Sequence, residues 1–291
     1  MTFHGLLTAL ATPFRNGALD ESAFRSLVRA QVAGGVDGLV PCGTTGESPT
    51  LSPEESERVV RWTLEEAGEV PVMAGVGGND TASVVATAKR MEALGVKGVL
   101  ATAPYYNKPT QEGLYRHFRA VAEAVSVEVC VYDVPGRSIV RVQPATLERL
   151  AEVPNITTVK DATADMAHAT EVLRRTGDRF TLLSGDDFTV LPFLALGGHG
   201  TISVASNVVP AKMKALVVAG REGRLSDARV LNAELFPLFH ALFQESNPIP
   251  LKAALAATGA MEDELRLPLS PLAERCREPL LAALRALDLL G

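Results

Sequence analysis

A chain of 291 residues that is 47% apolar and 21% charged has the material to close a large core as one unit, which excludes a tail, a linker or a small disulfide scaffold. Its 28 Lys and Arg against 34 Asp and Glu give a formal charge of -6, a balance that repels polyphosphate and argues against nucleic-acid binding. The 3 cysteines, Cys42, Cys130 and Cys276, lie far apart with no C-x-x-C pair, the pattern of a reducing compartment and not of a disulfide framework or a zinc ribbon.

The first residues carry no Lys or Arg before an apolar stretch that Pro13 cuts short. That stretch reads as a strand, Leu6 to Thr12, and not as a signal peptide. A βα rhythm follows, in which short runs rich in Val, Ile, Leu and Thr, bounded by Gly or Pro, alternate with longer charged segments of helical spacing. In chain order the expected elements are helix Glu21 to Ala33, strand Gly38 to Cys42, helix Glu54 to Ala67, strand Val70 to Val76 and helix Ala82 to Leu94. Next come strand Gly98 to Ala103, helix Gln111 to Val125, strand Glu128 to Val134, helix Pro144 to Ala151 and strand Ile156 to Asp161. The series ends with helix Met166 to Arg175, strand Phe180 to Ser184, helix Phe188 to Leu196 and strand Gly200 to Val204. Ser52 is the expected N-cap of the second helix, with Pro53 at its first helical position.

Eight strands separated by helices suit a closed (β/α)8 barrel better than a doubly wound sheet, because eight is the closing number and no G-x-G-x-x-G opens the first helix. Beyond the eighth unit, Leu225 to Phe243, Pro250 to Ala257 and Ala273 to Leu289 read as helices. The expected organisation is an α/β TIM barrel over 1–224 and a helical extension over 225–291, continuous with it. No uninterrupted apolar run approaches the roughly 18 to 20 residues of a membrane helix. The expected setting is cytoplasmic, without membrane association.

Barrel chemistry sits at the C-terminal ends of the strands. Lys160 ends the sixth strand, and if it points into the barrel mouth, the alternation of a strand turns Asp161 outward, where it cannot neutralise the amine. An amine in apolar surroundings is eased toward its neutral, nucleophilic form, the requirement for a Schiff base on a carbonyl. Tyr132 falls at the same height on the neighbouring strand and is suited to passing protons, with Thr44 and Tyr106 as candidate relay hydroxyls. The turn Gly43-Thr44-Thr45-Gly46 offers amides and two hydroxyls to a carboxylate, and Arg137 offers a planar fork to a second one. The histidines form no metal-ligand pattern, and neither H-E-x-x-H nor G-x-x-x-x-G-K-[ST] occurs. No metal and no cofactor are expected.

Gly43-Thr44-Thr45-Gly46-Glu47-Ser48, Pro104-Tyr105-Tyr106-Asn107-Lys108-Pro109, Tyr132-Asp133-Val134-Pro135-Gly136-Arg137 and Lys160-Asp161-Ala162-Thr163 together resemble the dihydrodipicolinate synthase family of the N-acetylneuraminate lyase superfamily. Leu183-Ser184-Gly185-Asp186-Asp187, Gly197-Gly198-His199-Gly200-Thr201-Ile202-Ser203 and Asn247-Pro248-Ile249-Pro250 extend the resemblance over essentially the whole chain. It implies a class I aldolase-type lyase that condenses pyruvate with L-aspartate 4-semialdehyde at the entry to the diaminopimelate route to lysine. By the resemblance, Lys160 would form the Schiff base and Tyr132 would be the proton donor and acceptor. Tyr132 would be linked through Thr44 to Tyr106 of an adjacent subunit. Thr44 and Thr45 would hold pyruvate's carboxylate, Gly185 and Ile202 would contribute to the substrate site, and Arg137 would hold the aldehyde's carboxylate. The implied assembly is a homotetramer, a dimer of dimers.

Two departures from the family pattern do not touch the proposed chemistry directly: Asp133 stands where many members carry Asn, and Ala164 where Gly often follows the lysine motif. Pro53, Ser56 and Ser83 replace two histidines and a glutamate of members inhibited by L-lysine, so weak or absent lysine inhibition is expected. Competing readings are an N-acetylneuraminate lyase, a 2-keto-3-deoxy-sugar-acid aldolase, or a catalytically silent metabolite-binding barrel. Arg137 disfavours the first two, because it suits an acceptor with its own carboxylate near the aldehyde. The presence of every proposed catalytic residue disfavours the third.

Overall fold

Alternating side chains sort into two apolar clusters in the computed structural model, which describes residues 3–290. Along the fifth strand Val129 and Val131 join the outer cluster, whereas Cys130 and Tyr132 join an inner one with Leu7, Val40, Met73, Leu100, Leu183 and Ile202. The inner cluster fills the axis of a barrel. Its strands are β1 (Gly5–Ala9), β2 (Gly38–Val40), β3 (Met73–Gly75), β4 (Gly98–Thr102), β5 (Glu128–Asp133), β6 (Ile156–Asp161), β7 (Thr181–Ser184) and β8 (Gly200–Ser203). They pair in parallel in the order β2-β1-β8-β7-β6-β5-β4-β3, and a parallel bridge from Leu39 to Val72 closes the ring. The expected (β/α)8 barrel is therefore the observed fold.

The surrounding helices are α1 (Glu21–Ala33), α2 (Pro53–Glu66), α3 (Thr81–Leu94), α4 (Gln111–Ala124), α5 (Pro144–Leu150), α6 (Met166–Thr176), α7 (Val190–Ala195) and α8 (Pro210–Arg221). The local rules of capping set their starts. Ser52 accepts the Glu55 amide while Glu55 reaches back to the Ser52 amide, a capping box, with Pro53 as first helical residue. Asp20, Asp80, Thr110 and Asp165 cap α1, α3, α4 and α6 by accepting first-turn amides with their side chains, without the reciprocal bond.

Three features differ from the sequence reading. The first strand ends at Ala9 and not at Thr12, because the chain leaves the sheet there: the Ala11 amide bonds Asn207 and the Thr12 hydroxyl bonds the Gly46 carbonyl. A two-residue hairpin, Phe14–Arg15 against Ala18–Leu19, then turns through Asn16 and Gly17, both at positive φ. The Asn-Gly pair was a legible turn signal. Helix α8 also falls in a stretch to which the sequence reading assigned nothing, although Pro210 at its start and buried Met213, Leu216 and Val217 follow the helical pattern.

The C-terminal helices are α9 (Leu225–Leu242), α10 (Ile249–Ala257) and α11 (Glu274–Arg285). Helix α9 packs on α7, α8 and α11, and α10 packs on α11 and on the turn Ala205–Asn207 after β8. Phe239, Leu242, Leu251 and Leu284 are fully buried in the same cluster as Val190, Phe193 and Leu194 of the barrel shell. Each such side chain contributes roughly 1.5–3 kcal/mol by leaving water. This contact brings residues more than 200 positions from β2 against its loop.

Candidate active site

Lys160 lies at the C-terminal end of β6, in register with Tyr132 on β5 and Leu183 on β7. Register and alternation aim all three into the barrel mouth. Lys160 is 6% exposed, and its Nζ sits 4.2 Å from the centroid of the Tyr132 ring, which is itself buried. The next strand end makes room for the lysine stem. A Cβ on Gly185 would lie 3.0 Å from Lys160 Cε, 3.1 Å from its Cγ and 2.8 Å from Ala162 Cβ, so a bare backbone at 185 is what lets the lysine extend past β7.

Asp161 and Asp133, one residue further along their strands, point the other way as the alternation requires. The Thr163 amide donates to Asp161 Oδ1 and the Val142 amide to Asp133 Oδ1. The remaining oxygen of each carboxylate is buried without a hydrogen-bond partner. Burial above all, with the charge of Asp161 adding to it and the Val142 amide opposing, pushes the Asp133 carboxyl up to about 7. His168 Nε2 stands 3.8 Å from Asp133 Oδ2, and burial holds that imidazole below its ordinary value. Burial likewise pushes Asp187 up to about 6, though its Oδ2 accepts the Val204 and Ala205 amides and so fixes the chain just beyond Ile202.

A cavity of about 400 Å³ opens beside the Lys160–Tyr132 pair, lined by Thr44, Tyr105, Tyr132, Val134 and Arg137 among others. The turn that carries Thr44 packs on β3 at Gly75, where a Cβ would fall 2.0 Å from the Cys42 carbonyl oxygen. Within the turn the Gly46 amide donates to Gly43, Glu47 to Thr44 and Ser48 to Gly43. Among the described backbone hydrogen bonds none uses the Gly43, Thr44 or Thr45 amide, which leaves those three as donors the turn can offer an anion. A 3-10 turn, Ser48–Thr50, separates them from α2, so they do not form the N-terminus of that helix.

Arg137 rises from a short helical turn, Pro135–Ser138, and donates from Nη2 to the Asn247 carbonyl at 3.1 Å. Ile202 is buried on β8 beside Leu7. Of the predicted site residues, Thr44, Tyr132 and Arg137 line the cavity, whereas Lys160, Thr45, Gly185 and Ile202 are not part of its lining. Nor is Tyr106: it is 84% exposed at φ +73°, and Tyr105 lines the cavity in its place.

The sequence reading missed what holds the Thr44–Thr45 turn. Glu47, at φ +54°, is buried and paired at 2.7 Å with the fully buried Lys252 of α10. Lys252 also donates to the Thr12 carbonyl, and the Arg266 amide donates to Glu47 Oε2. Arg266 in turn grips Glu55 through both carboxylate oxygens, which draws that carboxyl down to about 2. Asn247 completes the set by donating from Nδ2 to Thr45 Oγ1 at 2.9 Å. One signal was available, a single lysine in the otherwise apolar run Ile249–Ala257. Among the described residues no group of three or more His, Cys, Asp and Glu side chains is arranged to hold a metal, and no helix is long and apolar enough to cross a membrane.

Comparison with known proteins gives a consistent set of relatives. Residues 2–287 match the Dihydrodipicolinate synthetase family. The chain is 49% identical over 289 residues to a 4-hydroxy-tetrahydrodipicolinate synthase of Nitratidesulfovibrio vulgaris (strain DP4), covering 97% of this chain and 99% of that protein. It superposes on the dihydrodipicolinate synthase of Thermotoga maritima with a TM-score of 0.98 at 43% identity, over 100% of both chains. A chloride-inhibited dihydrodipicolinate synthase from Acinetobacter baumannii, complexed with pyruvate, superposes with a TM-score of 0.97 at 37% identity, again over 100% of both.

Proposed function

The chain belongs to the dihydrodipicolinate synthetase family, and from that premise we propose that it is a 4-hydroxy-tetrahydrodipicolinate synthase acting through a Schiff base on Lys160. It is an aldolase-type lyase whose substrates are pyruvate and L-aspartate 4-semialdehyde. The observation that carries the assignment is the buried Lys160 amine set against the Tyr132 ring at the barrel mouth.

The Lys160 amine adds to the keto carbon of pyruvate, and loss of water leaves an iminium. The iminium is the electron sink that lets a methyl proton leave and form an enamine. Tyr132 moves protons in these steps, with the Thr44 hydroxyl in the same cavity. Thr44 and Thr45 receive the pyruvate carboxylate, flanked by Gly185 and Ile202. The enamine carbon attacks the aldehyde of L-aspartate 4-semialdehyde, whose carboxylate Arg137 holds. The acceptor's own amine then displaces Lys160, closing the ring and freeing the lysine for another turnover, with one water released overall.

Tyr106 serves a neighbouring subunit in a homotetramer, and its exposure on the single chain supports that role. A cytoplasmic setting accords with three free, buried cysteines. Feedback by L-lysine is weak or absent. Pro53 and Ser56 supply no imidazole, and the Ser83 hydroxyl is engaged with Asp80 at the start of α3. Strong inhibition below millimolar lysine in initial-rate titrations would contradict this.

Borohydride reduction with pyruvate followed by peptide mass mapping tests the central assignment. The expected result is a single pyruvate adduct on Lys160, absent from Lys160→Ala. An adduct elsewhere, or none, would overturn it.

A further inference from the structure

The helical extension reaches the active site through one residue that touches both carboxylate-binding groups. Asn247, 6% exposed, precedes α10. Its side-chain Nδ2 donates to Thr45 Oγ1 at 2.9 Å, and its main-chain carbonyl accepts from Arg137 Nη2 at 3.1 Å. The segment that carries it is itself fixed: the Ile249 amide bonds the Ser246 carbonyl, the Lys252 amide bonds the Pro248 carbonyl, and Lys252 Nζ grips Glu47, two residues beyond Thr45.

The direction of the Asn247–Thr45 bond decides what Thr45 can do. A threonine hydroxyl has one proton to give. When the Asn247 amide donates to the Thr45 oxygen, that proton remains free for a carboxylate. The reverse orientation would spend the proton on Asn247 and leave a buried NH2 with no acceptor, whereas the observed one leaves only the Oδ1 acceptor unpaired. Asn247 therefore sets Thr45 as a donor, while its backbone anchors the arginine on the other side of the mouth.

We propose that Asn247 is a positioning residue that holds the two carboxylate sites in register, acting on pyruvate through its side chain by way of Thr45 and on the acceptor through its carbonyl by way of Arg137. This rests on the function proposed above. The two arms are separable, because a side-chain substitution removes the first and leaves the second. In Asn247→Asp both side-chain oxygens are acceptors, so the Thr45 proton is drawn away from pyruvate. In Asn247→Ala the hydroxyl loses the donor that orients it.

Initial-rate kinetics with both substrates, on full-length variants matched to the parent by circular dichroism, test this. Asn247→Asp is expected to raise the pyruvate KM about tenfold or more, the effect of one hydrogen bond to a charged group. Asn247→Ala is expected to raise it less. In both, the KM for L-aspartate 4-semialdehyde and kcat should change less than twofold. In a Thr45→Val background Asn247→Asp should add little, since its route to pyruvate is already cut. The proposal is overturned by an unchanged pyruvate KM, by both KM values rising together, or by an undiminished effect in Thr45→Val. Should Asn247→Asp not fold, Asn247→Ala, in the parent and in Thr45→Val, carries the comparison with its smaller expected rise. Loss of the Lys160 adduct in the parent would instead defeat the functional reading beneath it, and that experiment is read separately.

Discussion

Replacing Asp133 by Asn should stabilise the protein, and more so as the pH rises. Asp133 is fully buried, its Oδ2 has no hydrogen-bond partner, and its carboxyl is pushed from 3.8 up to about 7. A carboxyl raised on folding holds its proton in the native state while the unfolded chain has already ionised. Native stability therefore falls as pH climbs from about 4 to about 7 and levels off above. At about 1.36 kcal/mol per pH unit the penalty is of the order of 1–2 kcal/mol at pH 5 and about 4 kcal/mol at pH 8. Asparagine keeps an Oδ1 for the Val142 amide and carries no charge to bury. The stability gap between Asp133→Asn and the parent should thus widen by about 2–3 kcal/mol from pH 5 to pH 8. Urea unfolding followed by far-UV circular dichroism at four pH values and one protein concentration measures it. Asp186 and Asp187, also raised by burial, titrate in both proteins and cancel in the difference. A gap that stays constant with pH, or a variant less stable than the parent at pH 8, would refute the reasoning.

Two further outcomes follow from the site's construction. Lys252→Met leaves the Glu47 carboxylate buried without its ion pair and should cost about 3–5 kcal/mol in urea unfolding, with much of the loss recovered by adding Glu47→Gln. A loss below 1 kcal/mol would show that the turn relaxes without the pair. Gly185→Ala puts a methyl 3.0 Å from Lys160 Cε and should slow pyruvate-dependent borohydride trapping at least about tenfold, with the melting temperature shifting only a few degrees. Trapping at the parental rate would sink the claim that the bare backbone positions the lysine.

The order and kind of nearly every element were legible in the sequence because they are local properties. Short apolar runs bounded by Gly or Pro make strands, and period-3.6 runs such as the one that begins at Ser52-Pro53 make helices. The strand-end motifs were legible for the same reason, and with them Lys160, Tyr132, Thr44, Thr45 and Arg137 as candidates, whereas Gly185 and Ile202 came only from the family resemblance. Alternation alone predicted that Lys160 and Asp161 face opposite ways, as they do. What no local pattern carries is which distant groups meet. Asn247 and Thr45 are 202 residues apart, and Lys252 and Glu47 are 205. Their pairing exists only because the closed barrel presents its β2 loop to a helix that the apolar packing of α9 and α11 brings back across the mouth. The buried charge of Asp133 is decided in the same way. Its sequence neighbours do not reveal that the helix layer removes it from water, and desolvation is a property of the assembled layers.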